Sequence, residues 1–397
     1  MLSFKSCILG FALLLLAFQA IGQPTKNSFT SYSSIPEVVK IQKEFGVQVA
    51  AFKYSWIGEY DSAQAVYETF SRFSYKDTIV PDTNYELIEA LTFLKKKSLE
   101  NQVIFFNEAH HISLHRNFVR RALPILYENG FRYFAMETFN KSDTLIYERG
   151  YPIRNSGFYI KDPEYGELLR DALDLGYTLV GYEASGKKGK EREVGQARNL
   201  MEQTISKDIS AKVVVLAGFG HIREDSVPDW EQAMAGWFKD FTDINPVTID
   251  QVPFTPTYNA DYVNPLLLRD ELTYPAVPVA TENVFTNPYS RKPGVDFYVF
   301  HPIYSEVNRV KEWKYSFGRE AFYLKLKEMK AEEGSLIMAF DQQEYRLESN
   351  SSERLIPKDI VVWGNPQKPL LLEPGNYHIE VWNTIGALIY QKEIRLD

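Results

Sequence analysis

The stretch VIFFNEAHHISLHR, from Val103 to Arg116, combines Glu108 with three of the chain's six histidines. Carboxylate and imidazole groups that lie together can bind a metal such as Zn, Mn or Fe. They can also activate water, when one acts as general base and the others orient the water and stabilise the developing oxyanion. His110 and His111 are adjacent and point in different directions, so we expect one of them to enter a site. His115 shares a face with His111 if the following helix begins early.

Acidic and imidazole side chains also follow three later hydrophobic runs. Glu137 follows RYFAM, Glu183 follows YTLVGY, and His221 follows KVVVLAGFG. In an open parallel sheet, ligands bind outside the carboxyl ends of the strands. Gly218 and Gly220 beside His221 allow the backbone to approach closely, which suits a site. For Glu183 alone, a helix cap or a solvated loop charge is the favoured interpretation, but the set as a whole predicts one cleft along one edge.

The roles expected of these residues depend on the chemistry. For hydrolysis, the predicted catalytic residues are Glu108, His111, Glu137 and His221. For a bound cofactor, the predicted contacts are His110, His115 and Glu183. For a divalent metal, the predicted ligands are Glu108, His110 and His221. No GxSxG elbow and no Walker loop occurs in the sequence, so neither a serine elbow nor a phosphate loop is indicated.

The elements that must position these residues alternate between strand and helix. Apolar runs predict strands at VIFF, RYFAM, YTLVGY and KVVVLAG. Amphipathic segments predict helices over 114–129, PEYGELLRDALDLG, EREVGQARNLMEQTIS and VPDWEQAMAGWFKD. Continuous apolar strands alternating with amphipathic helices are typical of a parallel sheet covered on both faces. The predicted fold class is therefore α/β, with a parallel sheet flanked by helices at its core.

The chain as a whole divides into four predicted parts. Residues 1–22 resemble a signal peptide, with Lys5 before an apolar run and small residues at its end. Residues 23–100 are predicted to form helical hairpins, including a helix over TNYELIEALTFLKKKSL. Residues 101–330 form the α/β domain, with a Pro- and Tyr-rich extension from about 250. Residues 335–397 alternate in a way that predicts a small all-β module with a turn at 383–386.

Composition limits the partners. The chain has 45% hydrophobic residues and a formal net charge of −8, so it can bury a core and presents a mildly acidic surface. That charge argues against nucleic acid or anionic membrane as a partner. The single cysteine, Cys7, lies in the predicted signal, which leaves no disulfide or thiolate nucleophile. We expect a secreted or periplasmic protein with no integral membrane segment after signal removal.

At these residues the chain resembles the superfamily of erythromycin esterases, ChaN-like haem-binding proteins and Tiki-type proteases. Glu108 and His111 match the Glu-x-[Ser/Thr]-His strand end of the esterases. Glu137 in FAMETF matches their glutamate at the end of the next strand, and His221 matches a later histidine. ARNLMEQT also resembles the Arg-Asn-Met stretch of these enzymes. The resemblance covers about 101–250 and implies hydrolysis of an ester or amide bond.

The ChaN-like pattern, Gly-Glu-x-His with a later Gly-x-Gly-His, is similar to Glu108, His110 and GFGHIREDSVP. Asn107 stands where that pattern has glycine, and His115 stands where the esterases usually have an acid, so the substrate stays open. One expectation is an exported, metal-dependent or metal-independent hydrolase that acts on a small-molecule or peptide substrate. The second, implied by ChaN-like proteins, is a haem- or iron-binding protein. A third is an inactive scaffold for partner binding.

Overall fold

A computed structural model describes residues 32–70, 84–269, 271–281, 294–325, 331–348, 351–364 and 366–397. The predicted signal peptide lies outside these ranges. Among the described helices, none has the length and hydrophobicity needed to cross a bilayer.

The strands, in chain order, are β1 (Tyr85–Glu89), β2 (Val103–Glu108), β3 (Phe131–Met136), β4 (Thr178–Gly181), β5 (Lys212–Gly218), β6 (Ser226–Val227), β7 (Glu231–Gln232), β8 (Val247–Asp250), β9 (Ala276–Ala280), β10 (Phe297–Tyr298), β11 (Glu306–Val307), β12 (Val310–Lys311), β13 (Glu320–Phe322), β14 (Leu336–Asp341), β15 (Asp359–Val362), β16 (Leu370–Leu372), β17 (Gly375–Trp382) and β18 (Leu388–Leu396).

The α-helices are α1 (Ile35–Phe45), α2 (Val47–Trp56), α3 (Tyr60–Phe70), α4 (Ala90–Glu100), α5 (Ser113–Glu128), α6 (Ile146–Arg149), α7 (Pro163–Leu175), α8 (Gly189–Gln203), α9 (Met234–Thr242), α10 (Pro265–Arg269), α11 (Gln342–Leu347) and α12 (Ser351–Arg354). Two 3-10 helices, Tyr159–Lys161 and Phe219–Ile222, contribute residues to the site.

The predicted α/β fold is confirmed. A six-stranded sheet has the order β10-β8-β2-β5-β3-β4, and every neighbouring pair is parallel. Successive residues of β2 enter different cores: Ile104 packs with α5 and α7, whereas Phe105 packs with α8 and α9. Because side chains alternate along a strand, an apolar run buries both faces of the sheet.

The N-terminal helices and the C-terminal strands pack on each other. Val38 and Tyr54, from α1 and α2, share a hydrophobic cluster with Leu336 and Ile360 of the sheet β15-β14-β17-β18. Ion pairs join that sheet to the α/β core, since the Lys314 ammonium lies 2.8 Å from a Glu164 oxygen of α7 and 2.9 Å from an Asp359 oxygen of β15. The hairpin turn predicted at 383–386 is present between β17 and β18.

Several local predictions were wrong. The helix predicted over TNYELIEALTFLKKKSL begins at Ala90, because residues 85–89 form β1 and pair antiparallel with β9. The helix predicted over VPDWEQAMAGWFKD begins at Met234, because the preceding residues form the β6–β7 hairpin. The extension from about 250, read as poor in elements, supplies β9 and the edge strand β10. The C-terminal part contains the short helices α11 and α12 in addition to strands. For β1 and β10, pairing with strands that are distant in sequence overrides local propensity.

Candidate active site

The ends of β2, β5, β3 and β4 are neighbours in the sheet, and their side chains meet there. The result is a group that we name the buried centre: Glu108, His110, Arg116, Glu137, Arg192 and His221. Each member has at most 7% of its side chain exposed. The two arginines come from α5 and α8, the helices that pack on opposite faces of the sheet.

Glu108, the last residue of β2, is held by a guanidinium and an imidazole. Arg116 donates from Nε to one carboxylate oxygen at 2.8 Å and from Nη2 to the other at 2.9 Å. The Nδ1 atom of His110 lies 2.8 Å from Glu108 Oε1. Burial by itself would raise the pKa of Glu108, but Arg116 and His110 lower it to about 2. Glu108 is therefore a fixed carboxylate that orients the His110 ring.

His110 lies between two carboxylates. With Nδ1 on Glu108, its Nε2 lies 3.7 Å from a Glu137 oxygen. One ring face stacks on Tyr159, with centroids 3.8 Å apart. Gly218 permits this arrangement, because a Cβ there would lie 2.4 Å from two atoms of the His110 ring and 2.7 Å from Glu137 Oε2. The close approach expected of the glycine before His221 is therefore made by an imidazole and a carboxylate.

Glu137 follows β3 and is fixed by two donors. Arg192 Nη2 donates to one oxygen at 2.8 Å, and the Gly218 N–H donates to the other at 2.7 Å. Burial by itself would raise the pKa of Glu137, but His110 and Arg192 lower it to about 2. Arg192 also pairs with Glu183 at 2.7 Å, and Glu183 is 23% exposed. Glu183 therefore joins the buried centre to solvent.

His221 belongs to a carboxylate–imidazole pair. Its Nδ1 lies 2.7 Å from an oxygen of Glu193, the residue after Arg192, and Arg192 Nη1 donates to its Nε2 at 2.9 Å. Burial opposes protonation, but Glu193 raises the pKa of His221 above its usual value. Trp230 stacks on the ring with an interplanar angle of 3°.

His111 takes a different direction from His110. Its ring stacks on Tyr67 of α3 with centroids 3.8 Å apart, and within the described ranges its Nδ1 has no hydrogen-bond partner. Burial, together with the charges of His110 and Arg116, lowers the pKa of His111 to about 3, so the ring is neutral at pH 7. Of the two adjacent histidines, the structure brings His110 to the carboxylates and leaves His111 beside them.

His115, predicted to contact a cofactor, uses both ring nitrogens within the protein. Nδ1 accepts from the Ala109 N–H at 3.0 Å, so Nε2 carries the proton and donates to Thr255 Oγ1 at 2.8 Å. Burial lowers the pKa of His115 well below its usual value. The ring ties α5 to the loop after β8, and its hydrogen bonds leave no ring nitrogen to bind a cofactor.

Sequence reasoning missed the two arginines, Glu193 and Tyr159. Arg116 is part of the quoted stretch, and Arg192 and Glu193 lie in EREVGQ, which was read only as a covering helix. A usable signal was the number of acidic groups assigned to one buried edge, because buried carboxylates need counter-charges. Arg116 is further fixed by Asp162, 2.8 Å from its Nη1.

An open cavity of about 930 Å³ lies beside Glu183, the ion-pair partner of Arg192. Glu183, Thr138, Lys141, Arg198 and Asn199 line it. Thr138 directly follows Glu137 and has a left-handed φ of 61°, a strained conformation for a β-branched residue. Its buried Oγ1 has no hydrogen-bond partner among the described residues. Strain and an unsatisfied hydroxyl at a cavity wall are features of ligand sites.

The donor set does not fit a divalent metal. Both oxygens of Glu108 and of Glu137 accept from arginine, histidine or backbone donors, and Arg192 faces His221 Nε2. Two guanidinium groups inside the centre also repel a cation. Over the ranges that the structure describes, no three His, Cys, Asp or Glu side chains converge as metal ligands.

The lining residues of the cavity, within the same ranges, include neither histidine nor tyrosine, which are common haem ligands.

The fold and the site together define an α/β protein with a buried glutamate–histidine–arginine centre at the carboxyl ends of a parallel sheet. No protein-family model and no curated protein matches the chain. Among solved structures, the type III effector HopBA1 is similar at 14% identity and a TM-score of 0.29, over 43% of this chain and 87% of that one. RRSP, a MARTX toxin effector domain from Vibrio vulnificus CMCP6, is similar at 12% identity and a TM-score of 0.29.

A structure described as bacterial protein toxins is similar at 12% identity and a TM-score of 0.30. This chain covers 46% of the RRSP chain and 47% of that toxin chain, so it spans less than half the length of each. Similarity at this level carries no functional inference.

Proposed function

We propose that the protein is a hydrolase that cleaves an ester or amide bond by activating water at the buried centre. The observation that carries the proposal is the position of His110 between two carboxylates. Glu108 accepts from Nδ1, and Nε2, which lies 3.7 Å from a Glu137 oxygen, is the ring nitrogen that takes a proton from water. A positioned imidazole of this kind contributes about 10²- to 10⁴-fold to a rate.

The other members have complementary roles. Glu137 orients the water, since its Oε2 lies 3.7 Å from His110 Nε2 above Gly218. Arg192 stabilises the negative charge that develops on the carbonyl oxygen, and a fixed donor in a dry site is effective at this. His221 accepts from Arg192 and is held by Glu193, so this pair positions the guanidinium. His110 then returns its proton to the leaving oxygen or nitrogen as the scissile bond breaks.

The cavity provides the route for the substrate. Glu183 lines the cavity and pairs with Arg192, so a ligand that displaces the Glu183 carboxylate reaches the guanidinium directly. The lining combines acidic, basic and amide side chains, which suits a polar small molecule or a peptide.

We also propose that the chain is exported and that it belongs to the superfamily of erythromycin esterases, ChaN-like proteins and Tiki-type proteases. Of the positions that carry the resemblance, Glu108, His110, Glu137 and His221 lie in the buried centre, whereas His111 of the esterase pattern stacks on Tyr67 beside it. The arginine pairing of the carboxylates favours water activation without a metal, and haem binding has no support from the cavity lining.

The proposal is tested by assaying the full chain on p-nitrophenyl esters and on peptide p-nitroanilides, with and without EDTA. We expect hydrolysis of at least one class, unchanged by EDTA, and a loss of about 10²-fold or more in H110N. His378 on β17 provides the matched control, because it stacks on Tyr345 far along the chain from the centre. H378N should keep the wild-type rate. Equal rates in wild type and H110N, or inactivation by EDTA, would contradict the proposal.

A further inference from the structure

Asn107, the residue before Glu108 on β2, is not a member of the buried centre, but it is 1% exposed and both of its polar side-chain atoms are hydrogen-bonded. The Nδ2 atom donates to the Phe219 carbonyl at 2.9 Å and to Asp250 Oδ1 at 2.6 Å. The Oδ1 atom accepts from the Gln251 N–H at 2.8 Å. One carboxamide therefore joins the end of β2 to the end of β8 and to the residue that follows β5.

Phe219 has a backbone conformation that few residues adopt. Its φ is 43°, in the left-handed region, where a residue other than glycine is strained. Such strain persists only where the surrounding structure over-determines the backbone. The Asn107 amide holds the Phe219 carbonyl, and the ring packs edge-on against His110 with centroids 5.3 Å apart. Both constraints act on the turn at which β5 ends.

This turn determines where the His221 ring lies. The 3-10 helix Phe219–Ile222 begins at the strained residue and carries His221 two positions later. The His221 ring stacks on Trp230 with centroids 5.0 Å apart, and Arg192 Nη1 donates to its Nε2 at 2.9 Å. The orientation of the carbonyl at the start of this short helix therefore sets the direction from which His221 meets Arg192.

Asp250 makes one of the Asn107 hydrogen bonds charge-assisted. Burial raises the pKa of Asp250 to about 6, and the Asn107 amide opposes that rise. Above this pH the Asp250 carboxylate is charged, and its Oδ1 accepts from the Val252 N–H at 2.9 Å as well as from Asn107. Hydrogen bonds to a charged group are stronger than those between neutral groups, so Asp250 anchors the amide that holds Phe219.

We propose that Asn107 is a positioning residue, which holds the Phe219 carbonyl so that the turn after β5 presents His221 to Arg192. The expected effect on rate rests on the proposed function, whereas the expected effect on the His221 ring does not. Among the described residues that line the cavity, Asn107 does not occur, so its loss should lower kcat and leave KM nearly unchanged. Displacing a catalytic group by about 1 Å can lower a rate by about 10²-fold, and kcat should fall by about that factor.

The test compares N107D with N107D/D250N in the full chain at pH 8, where Asp250 is ionised in the wild type. N107D keeps the acceptor for the Gln251 N–H, but it loses both donations and places two carboxylates side by side. In the double variant, the new amide at position 250 can donate to the new carboxylate at position 107, whereas the Phe219 carbonyl still lacks its donor. The double variant should therefore recover most of the melting temperature that N107D loses, while kcat stays about 10²-fold below wild type. N129D is the matched control, since Asn129 Nδ2 donates to a carbonyl and a hydroxyl before the amino end of β3.

NMR of the histidine rings supplies a second readout that needs no substrate. The chain has six histidines, and H221N identifies the signals of His221. Stacking on Trp230 should shift the His221 ring protons upfield in the wild type and in N129D, and this shift should shrink in N107D/D250N. Wild-type His221 signals in the double variant, or a wild-type kcat there, would overturn the positioning role. If the wild type hydrolyses no substrate while the His221 signals move as expected, the positioning role stands and the proposed function fails.

Discussion

Removal of the Arg116 guanidinium should destabilise the fold strongly, and the substitution R116M tests the electrostatics of the buried centre. Its side chain is 0% exposed, donates to both oxygens of Glu108 and to the His110 carbonyl, and pairs with Asp162. Methionine preserves most of the packing and removes the charge. Glu108 and Asp162 then remain buried without their guanidinium.

The magnitude follows from that loss of pairing. Breaking a buried ion pair by removing one partner costs about 3–5 kcal/mol, because a charge remains in a low-dielectric environment. The free energy of unfolding of R116M should therefore fall by about that amount at pH 7. Adding E108Q removes one of the two unpaired buried charges. The free energy of unfolding of the double variant should therefore be on the order of 1–3 kcal/mol higher than the two single effects added together would give.

Urea denaturation followed by tryptophan fluorescence provides the assay. R346M is the matched control, because Arg346 makes a similar pair with Glu393 in which the side chains are 62% and 50% exposed. Exposed pairs contribute about 1 kcal/mol or less, so R346M should remain close to wild type. If R116M is no more destabilised than R346M, or if E108Q and R116M are additive, the buried pairing is refuted.

Two further predictions concern the same group. G218A should abolish hydrolysis and destabilise the fold, because its Cβ would lie 2.4 Å from the His110 ring. The control G364A, whose Cβ would have no atom within 4 Å, should do neither. Hydrolytic rates and melting temperatures of both variants check this, and normal activity in G218A would contradict it. The net effect of burial and cationic partners lowers the pKa values of Glu108 and Glu137 from 4.5 to about 2. Each carboxylate therefore contributes on the order of 3 kcal/mol of stability above about pH 5. This contribution is lost as the pH falls toward 2. Unfolding free energies at pH 7, 5 and 3 should decline less steeply in E108Q than in wild type, and equal slopes would refute this source of acid sensitivity.

Four strands of the central sheet, β2 to β5, could be predicted because their signal is local, whereas β8 and the edge strand β10 were not predicted. Apolar runs such as 103–106 and 212–218 are short, and the alternation with amphipathic helices restricts them to parallel neighbours. From that topology it follows that the residues after each strand share an edge, which is why Glu108, Glu137 and His221 could be grouped from sequence. The pattern of alternating strands and helices therefore predicts the site residues that follow strands, and it does not predict those that lie on helices.

The remaining features depend on tertiary contacts that have no local signature. Residues 85–89 have helical propensity but pair with residues 276–280, far along the chain. Arg192 and Glu193 lie on a helix whose sequence is typical of a solvent-facing element, and only its packing on the sheet turns them inward. The choice of His110 over His111 is made by the turn after β2, where one ring stacks on Tyr159 and the other on Tyr67.

The most direct test of the central claim is the hydrolytic rate of E137Q on the substrate that the ester and amide panel identifies, measured beside its melting temperature. Glutamine keeps the shape of Glu137, and Arg192 keeps its pair with Glu183, so the fold should persist. Glu44, 50% exposed on α1, supplies the control E44Q. We predict a rate lower by about 10²-fold or more in E137Q and an unchanged rate in E44Q. A folded E137Q protein that hydrolyses the substrate at the wild-type rate would contradict water activation at the buried centre.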